Sequence, residues 1–228
     1  KNKFIISFMN YKILKLLKIY LKRHTLLRIL QVRECINIKL GGDTLEFGAI
    51  DDKEKTFSNF FIGKSKFKYS SLSKKKINTI ILDLTKNLTV RNNKFNNVLL
   101  FNVLEHLPDY RKAFAEIYRI LKKDGLLIGS TPFLYQVHGA PNDYFRFTKS
   151  FFEFNLKKNN FKKITVKNLG YGPFVASYSL LASYLKFLPI VSDLFLLFAF
   201  FLDFIIQCFV RTKLNEIFPI GIFFIAKK

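Results

Sequence analysis

Residues 98–133 read VLLFNVLEHLPDYRKAFAEIYRILKKDGLLIGSTPF, and the order of apolar run, helical pattern and second apolar run decides the fold class. Val98 to Phe101 is short and continuously apolar, the pattern of a strand buried on both faces of a parallel sheet. After Pro108 and Asp109, Ala113, Phe114, Ile117, Ile120 and Leu121 recur at helical spacing, with Arg111, Lys112, Glu116 and Arg119 on the other side. Lys122 and Lys123 fall in the last predicted turn, Gly125 at the C-terminal cap, and Leu126 to Ile128 resume the strand pattern. Strand, crossover helix and parallel strand make a βαβ unit, so the class is α/β.

Working outward, further strands are predicted at DTLEFGA (Asp43 to Ala49, after the turn-forming Gly41 and Gly42), Phe67 to Leu72, Thr79 to Leu82, Lys163 to Asn168 and residues 218–226, with helices alternating between several of them. At 228 residues the chain accommodates one well-cored α/β domain and an insertion.

Residues 102–133 resemble the Rossmann-like S-adenosylmethionine-dependent methyltransferases, in particular their type 11 group. Members carry an N/H-x-L-E-H segment after the fourth strand, a helix ending R-x-L-K-x-G-G, and a fifth strand; here Leu126 stands at the second glycine. The resemblance extends more weakly over Asp43 to Lys167, and Phe218 to Lys228 fit a closing strand. It implies a mostly parallel sheet whose last strand enters antiparallel beside strand six, and S-adenosyl-L-methionine as cofactor.

In such a fold the methyl donor lies across the carboxyl ends of the strands. The resemblance places it against Glu46, Gly48 and Ala49 after strand one, Ser73 after strand two, Asp83 and Leu84 after strand three, and Asn102 and Val103 after strand four. Two departures stand out. Ile50 and Asp52 occupy positions where the family has glycines, and Ser73 replaces an acidic residue that accepts both ribose hydroxyls. Losing a charged acceptor weakens such contacts by about 1.5–3 kcal/mol.

Methyl transfer from a sulfonium needs alignment above all, with a base only for a hydroxyl acceptor. The loop YQVHGAPNDYFRFT (135–148) resembles an H-G-A-P-x-D-Y-x-R-F-T phrase of a subset of the family and is the predicted acceptor loop. His138 is the candidate general base, Arg146 the candidate partner for phosphate or carboxylate, and Asp143 and Tyr144 the orienting residues; Asp143 and Arg146, three apart, could equally pair with each other. Some quinone-pathway O-methyltransferases use a Glu-x-x-Glu-His cluster for a divalent ion. Here Asn102 replaces the first Glu, leaving Glu105 and His106, so no metal is expected.

The chain carries 38 Lys and Arg against 16 Asp and Glu, a formal charge of +22, while half its residues are hydrophobic. Basic and apolar together point to an anionic membrane surface; with no nucleic-acid-binding motif present, no nucleic-acid partner is expected. Cys35 and Cys208 lack CxxC partners, which fits a reducing compartment, and the first residues lack the apolar core of an export signal. Residues 9–31 are predicted as a basic amphipathic helix, with Lys12, Lys15, Lys18 and Lys22 interleaved among leucines and isoleucines.

Between strands six and seven lies an almost wholly apolar segment, 172–210. Lys186, Pro189, Asp193 and Asp203 break it into pieces shorter than the roughly 20 residues of a span. Two helices are predicted, Phe174 to Phe187 and Ser192 to Val210, lying in one leaflet with their polar residues at the interface; a buried dimer interface or an apolar lid over a lipid-like substrate is the soluble alternative. The expected organisation is a helical segment 1–40, a methyltransferase-like domain 41–171 and 211–228, and a membrane-associating insertion 172–210. The expected protein is cytoplasmic, peripherally bound to the membrane, and acts on a small or lipid-linked acceptor. A non-catalytic adaptor that kept the fold and lost the donor is the alternative.

Overall fold

The computed structural model describes residues 13–22, 24–48, 56–72, 79–139 and 142–228. Strands β1 (Gly42–Phe47), β2 (Ser65–Ser71), β3 (Thr79–Ile81), β4 (Phe95–Phe101), β5 (Leu121–Pro132), β6 (Lys162–Leu169) and β7 (Gly221–Lys227) form one sheet in the order β3-β2-β1-β4-β5-β7-β6. The first five pair in parallel, and β7 runs antiparallel between β5 and β6. Helices are α1 (13–21), α2 (Leu26–Cys35), α3 (Tyr110–Ile120), α4 (Lys149–Lys158), α5 (Pro173–Leu185), α6 (Pro189–Phe209) and the short α7 (Leu214–Ile217).

The two-faced burial read from Val98 to Phe101 is realised residue by residue. Val98 and Leu100 join a core with Ala113, Phe114 and Ile117 of α3, whereas Leu99 and Phe101 join a second core with Leu27 and Leu30 of α2 and Val175 of α5. Asp109 begins α3 by accepting from the Arg111 and Lys112 amides at 3.0 and 3.3 Å. The helix stops sooner than its periodicity predicts. Leu121 is already extended, and Lys228 Nζ closes the end by donating to the Tyr118 and Leu121 carbonyls at 2.6 and 2.7 Å. The left-handed turn falls on Asp124 (φ 63°). Gly125 serves a close approach instead, because a Cβ there would lie 2.8 Å from the Lys122 carbonyl oxygen.

One further expectation is corrected. Over the described residues of 9–31, the single amphipathic helix is broken: α1 ends at 21, and Thr25 starts α2 by accepting from the Arg28 amide at 3.3 Å. Residues 9–12 and Arg23 lie outside the described residues. The buried face of α2 is taken by the sheet. The chain between β3 and β4 forms no helix; side chains of α3 fasten it, Glu116 accepting from the Leu88 amide at 2.7 Å and Arg119 donating to the Val90 carbonyl at 2.6 Å.

The insertion forms an antiparallel hairpin with the polarity of an ordinary surface helix reversed. Ser192, Leu196, Ala199 and Asp203, one stripe of α6, are buried, while Leu194, Leu197, Phe198, Phe201 and Phe204 face outward. Asp203 differs from expectation. It sits inside, its two oxygens accepting from the Phe174 and Val175 amides at 3.0 and 2.9 Å, so a residue of α6 caps the start of α5. Asp193 accepts from the Tyr20 hydroxyl at 2.6 Å and ties the hairpin to α1.

Candidate functional site

The carboxyl ends of β1, β4 and β5 converge where the strand order turns back on itself. After β1, Gly48 holds φ +70°, and a Cβ on it would meet Val103 Cγ2 at 2.5 Å, so the β1 exit loop and the segment after β4 touch at a position only glycine fills. Glu46 is buried, and its oxygens accept from the amides of Phe57 and Ser58 at 2.7 and 3.0 Å, closing the chain after β1 back onto the strand. Burial raises its carboxyl to about 7, against the opposing pull of those two amides and of Arg28. Arg28 lies over the Phe57 ring at 3.6 Å, and that ring stacks on Phe101 at 3.8 Å. Ala49, Ile50, Asp52 and Ser73 lie outside the described residues.

Asn102 takes the left-handed conformation at the end of β4 (φ 53°), one that Asn tolerates better than most residues. Its side-chain oxygen accepts from Gln31 Nε2 at 2.7 Å, and the same nitrogen reaches Ser130 Oγ at 3.1 Å. Gln31, fully buried on α2, therefore locks the ends of β4 and β5 together. Sequence reasoning missed it, since a glutamine inside an amphipathic pattern announces nothing; Phe57 and Arg28 escaped for the same reason. Asp83 turns on its own loop, accepting from the Thr85 amide and hydroxyl at 2.9 and 2.7 Å, bonds that hold it below the usual carboxylate range. Leu84 is buried in the core, and Val103 packs against it.

The predicted acceptor loop folds back over the chain that follows β4. The Tyr144 amide donates to the Glu105 carbonyl at 2.7 Å, and the Asn142 carbonyl meets His106 Nδ1 at 2.6 Å. Arg146 spends its guanidinium inside the loop, on both oxygens of Asp143 and on the Gln136 carbonyl at 3.2 Å. Asp143, held well below the usual carboxylate range chiefly by Arg146, in turn accepts from the His138 amide at 3.0 Å and lies 3.3 Å from His138 Nδ1. The His138 ring stands edge-on to His106 at 5.0 Å and to Tyr135 at 5.1 Å. Tyr144 is half exposed, its hydroxyl accepting from Asn142 at 2.9 Å. The structure thus joins Glu105 and His106 to His138, a meeting that the 31 residues between His106 and His138 conceal in the sequence.

A cavity of about 170 Å³ opens between this loop and the hairpin. Tyr135 and Gln136 line one side, Tyr20, Tyr178 and Ser192 another, with Lys186 at its edge.

Comparison with known proteins fits this geometry. Residues 61–129 match the model of a family described as a methyltransferase domain. The match covers under a third of the chain. Its fold is similar to phosphoethanolamine N-methyltransferase 2 of Haemonchus contortus in complex with S-adenosyl-L-methionine, at TM-score 0.55 and 20% identity over 87% of this chain and 52% of that one. The chain thus spans about half the length of that protein. It is also similar to an S-adenosylmethionine-dependent methyltransferase of Archaeoglobus fulgidus, at TM-score 0.56 and 13% identity over 87% and 91% of the two chains. The cyclase SpnF shares the fold at TM-score 0.54 and 12% identity, over 88% of this chain and 80% of that one. These likenesses establish the fold. No curated protein matches the chain in sequence.

Proposed function

We propose that this methyltransferase domain binds S-adenosyl-L-methionine at the ends of β1, β3 and β4 and transfers its methyl group to a small or lipid-linked acceptor at an anionic membrane surface. The observation that carries the membrane part is the outward face of α5 and α6. Phe187, Phe204 and Phe209 are 79%, 69% and 85% exposed, and Tyr184, Ile190, Leu194 and Leu197 share that surface. A helix bearing its bulky apolar residues on the wet side and its small and polar ones inside is matched to lipid rather than to water. Exposed Lys18 on α1 and Lys22 just after it, with Lys186 in the turn of the hairpin and Arg211 and Lys213 after it, supply cations for acidic headgroups. By length and composition α6 could cross a bilayer. Its tether to α5 through Asp203 and its return through α7 into the sheet between β5 and β6 favour a hairpin lying in one leaflet.

The donor reading rests on the methyltransferase sheet, on Gly48 against Val103, and on Asp83 and Asn102 at the strand ends, with Ala49 and Ser73, outside the described residues, completing the set that the family resemblance implies. The cavity between the acceptor loop and the hairpin suits an amphiphile, its headgroup beside Tyr135 and Gln136 and its chain leaving along α5 and α6. With a hydroxyl acceptor, His138 is the base of this reading, held by Asp143, which Arg146 fixes in turn, and Tyr144 lines the same loop as an orienting residue. One observation favours the adaptor alternative: Glu46 and Asp83 already have partners within the chain, and Phe57 is stacked against the end of β4. Incubating the chain with radiolabelled S-adenosyl-L-methionine and vesicles of a membrane lipid extract separates the readings. Label entering the organic phase supports a lipid-linked acceptor; label remaining in water indicates a small soluble one; no transfer favours the adaptor.

A further inference from the structure

Among the described residues, Glu105 is the one buried carboxylate with both oxygens unpartnered by any hydrogen bond. It is fully buried in the turn that follows β4. A buried carboxylate left so costs several kcal/mol unless a cation or a proton compensates it. Two imidazoles stand beside it. His106 Nε2 is 3.8 Å from Glu105 Oε1, and one ligand atom from each of Glu105, His106 and His138 can be chosen so that all lie within 4.8 Å of one another.

The imidazoles are already set for ligation. His106 Nδ1 is engaged by the Asn142 carbonyl at 2.6 Å, and His138 Nδ1 faces Asp143 Oδ2 and the Gln136 carbonyl, each at 3.3 Å. Acceptors at both Nδ1 positions place the proton there and leave the Nε2 lone pairs free, the arrangement in which a carboxylate or carbonyl behind a histidine fixes its tautomer and raises its basicity toward a metal. Asp143 is itself held by Arg146, so the support extends a further layer.

We propose that Glu105, His106 and His138 bind one divalent transition ion of the zinc class. Two imidazoles and one carboxylate select such an ion over magnesium or calcium, which prefer all-oxygen sites. Ligands at about 2.0–2.1 Å would stand roughly 3.3 Å apart around it, so the cluster must contract by an ångström or so, a shift that the surface loop carrying His138 can absorb. Three protein ligands leave a coordination position open, suited to a hydroxyl or carboxylate oxygen of a small molecule. The inference stands whether or not the donor reading holds. At His138 it replaces the free base, because a nitrogen that ligates an ion accepts no proton.

The test is titration of the tag-free full chain, stripped with chelator, with Zn²⁺ against a competing chelator, and with Co²⁺ followed by visible absorption. One equivalent bound at micromolar or tighter affinity is expected, with Co²⁺ bands of a low-coordinate nitrogen and oxygen site. Glu105→Gln and His138→Ala should each weaken binding about 100-fold and Asp143→Asn about 10-fold, the scale on which ligands and their supporting groups act. Thermal unfolding adds a second readout: Zn²⁺ should raise the melting temperature of the parent and leave that of Glu105→Gln unchanged. If Glu105→Gln does not fold, His138→Ala carries the test. No stoichiometric binding by folded protein, or binding indifferent to both substitutions, overturns the site.

Discussion

Asp203→Ala is the sharpest probe of how the hairpin is built. The carboxylate is 4% exposed and accepts from two amides, Phe174 at 3.0 Å and Val175 at 2.9 Å, at the first turn of α5. Hydrogen bonds to a charged acceptor contribute about 1.5–3 kcal/mol each, and loss of an N-cap about 0.5–2 kcal/mol. These overlap, because the cap is those same bonds, and water partly re-solvates the Phe174 amide. A loss of about 3 kcal/mol is the expected balance. With a urea slope of about 3 kcal/mol/M for a chain of this size, the midpoint falls by about 1 M. Gly172 supplies an independent check. A Cβ there would lie 2.6 Å from Asp203 Cγ, and the backbone is extended (φ −167°), so Gly172→Ala is opposed by this contact and not by its torsion angle. In the parent, Gly172→Ala should cost about 1–3 kcal/mol as an overpacking defect. In the Asp203→Ala background, where the obstructing carboxylate is gone, it should cost under about 0.5 kcal/mol, a strong coupling of the two sites. Urea unfolding followed by circular dichroism reads all four proteins, and hydrogen exchange at residues 174 and 175 localises the effect. Strict additivity, or a loss below about 0.5 kcal/mol for Asp203→Ala, would refute this account of the hairpin.

Gly48→Ala meets both a positive φ and the Val103 methyl, and should lose about 2 kcal/mol; adding Val103→Ala relieves the contact and leaves a torsional cost of about 1 kcal/mol, measurable by the same denaturation series. Glu46, lifted to about 7 by burial, holds a proton in the folded state that the unfolded chain releases near 4.5, so its contribution to stability is greatest below pH 4.5 and declines as pH rises to 7, by roughly 3 kcal/mol. The stability difference between the parent and Glu46→Gln, followed across that window, should show this decline; a difference independent of pH would contradict the burial argument. For the membrane reading, flotation with phosphatidylglycerol vesicles should capture the parent and fail for Phe198→Asp/Phe204→Asp, whose changes lie on the outer face of α6; equal capture of both would remove α6 from the contact.

What the sequence disclosed follows from the range of the forces involved. The βαβ unit was legible because Val98 to Phe101 and the stripe of α3 each bury against neighbours whose spacing is set within one element. The reversal of polarity in α6 was half legible: its apolar composition is plain, but Asp203 looks like a break in the run until α5 is laid beside it. The end of α3 was misread because its cap comes from Lys228, more than one hundred residues away in the chain. In the site, Glu105, His106 and His138 were each identified for their chemistry, yet not as a group, since their meeting depends on the Tyr144 amide docking on Glu105. Gln31 gave no signal, because its value lies wholly in the partners that folding brings to it.

The central claim is that the ends of β1, β3 and β4 still hold a methyl donor, and calorimetric titration of the full chain with S-adenosyl-L-methionine and S-adenosylhomocysteine tests it most directly. The account predicts one site of micromolar affinity for either ligand, weakened at least tenfold in Asp83→Ala; no heat of binding from folded protein with either ligand would contradict it and leave the fold as a membrane adaptor.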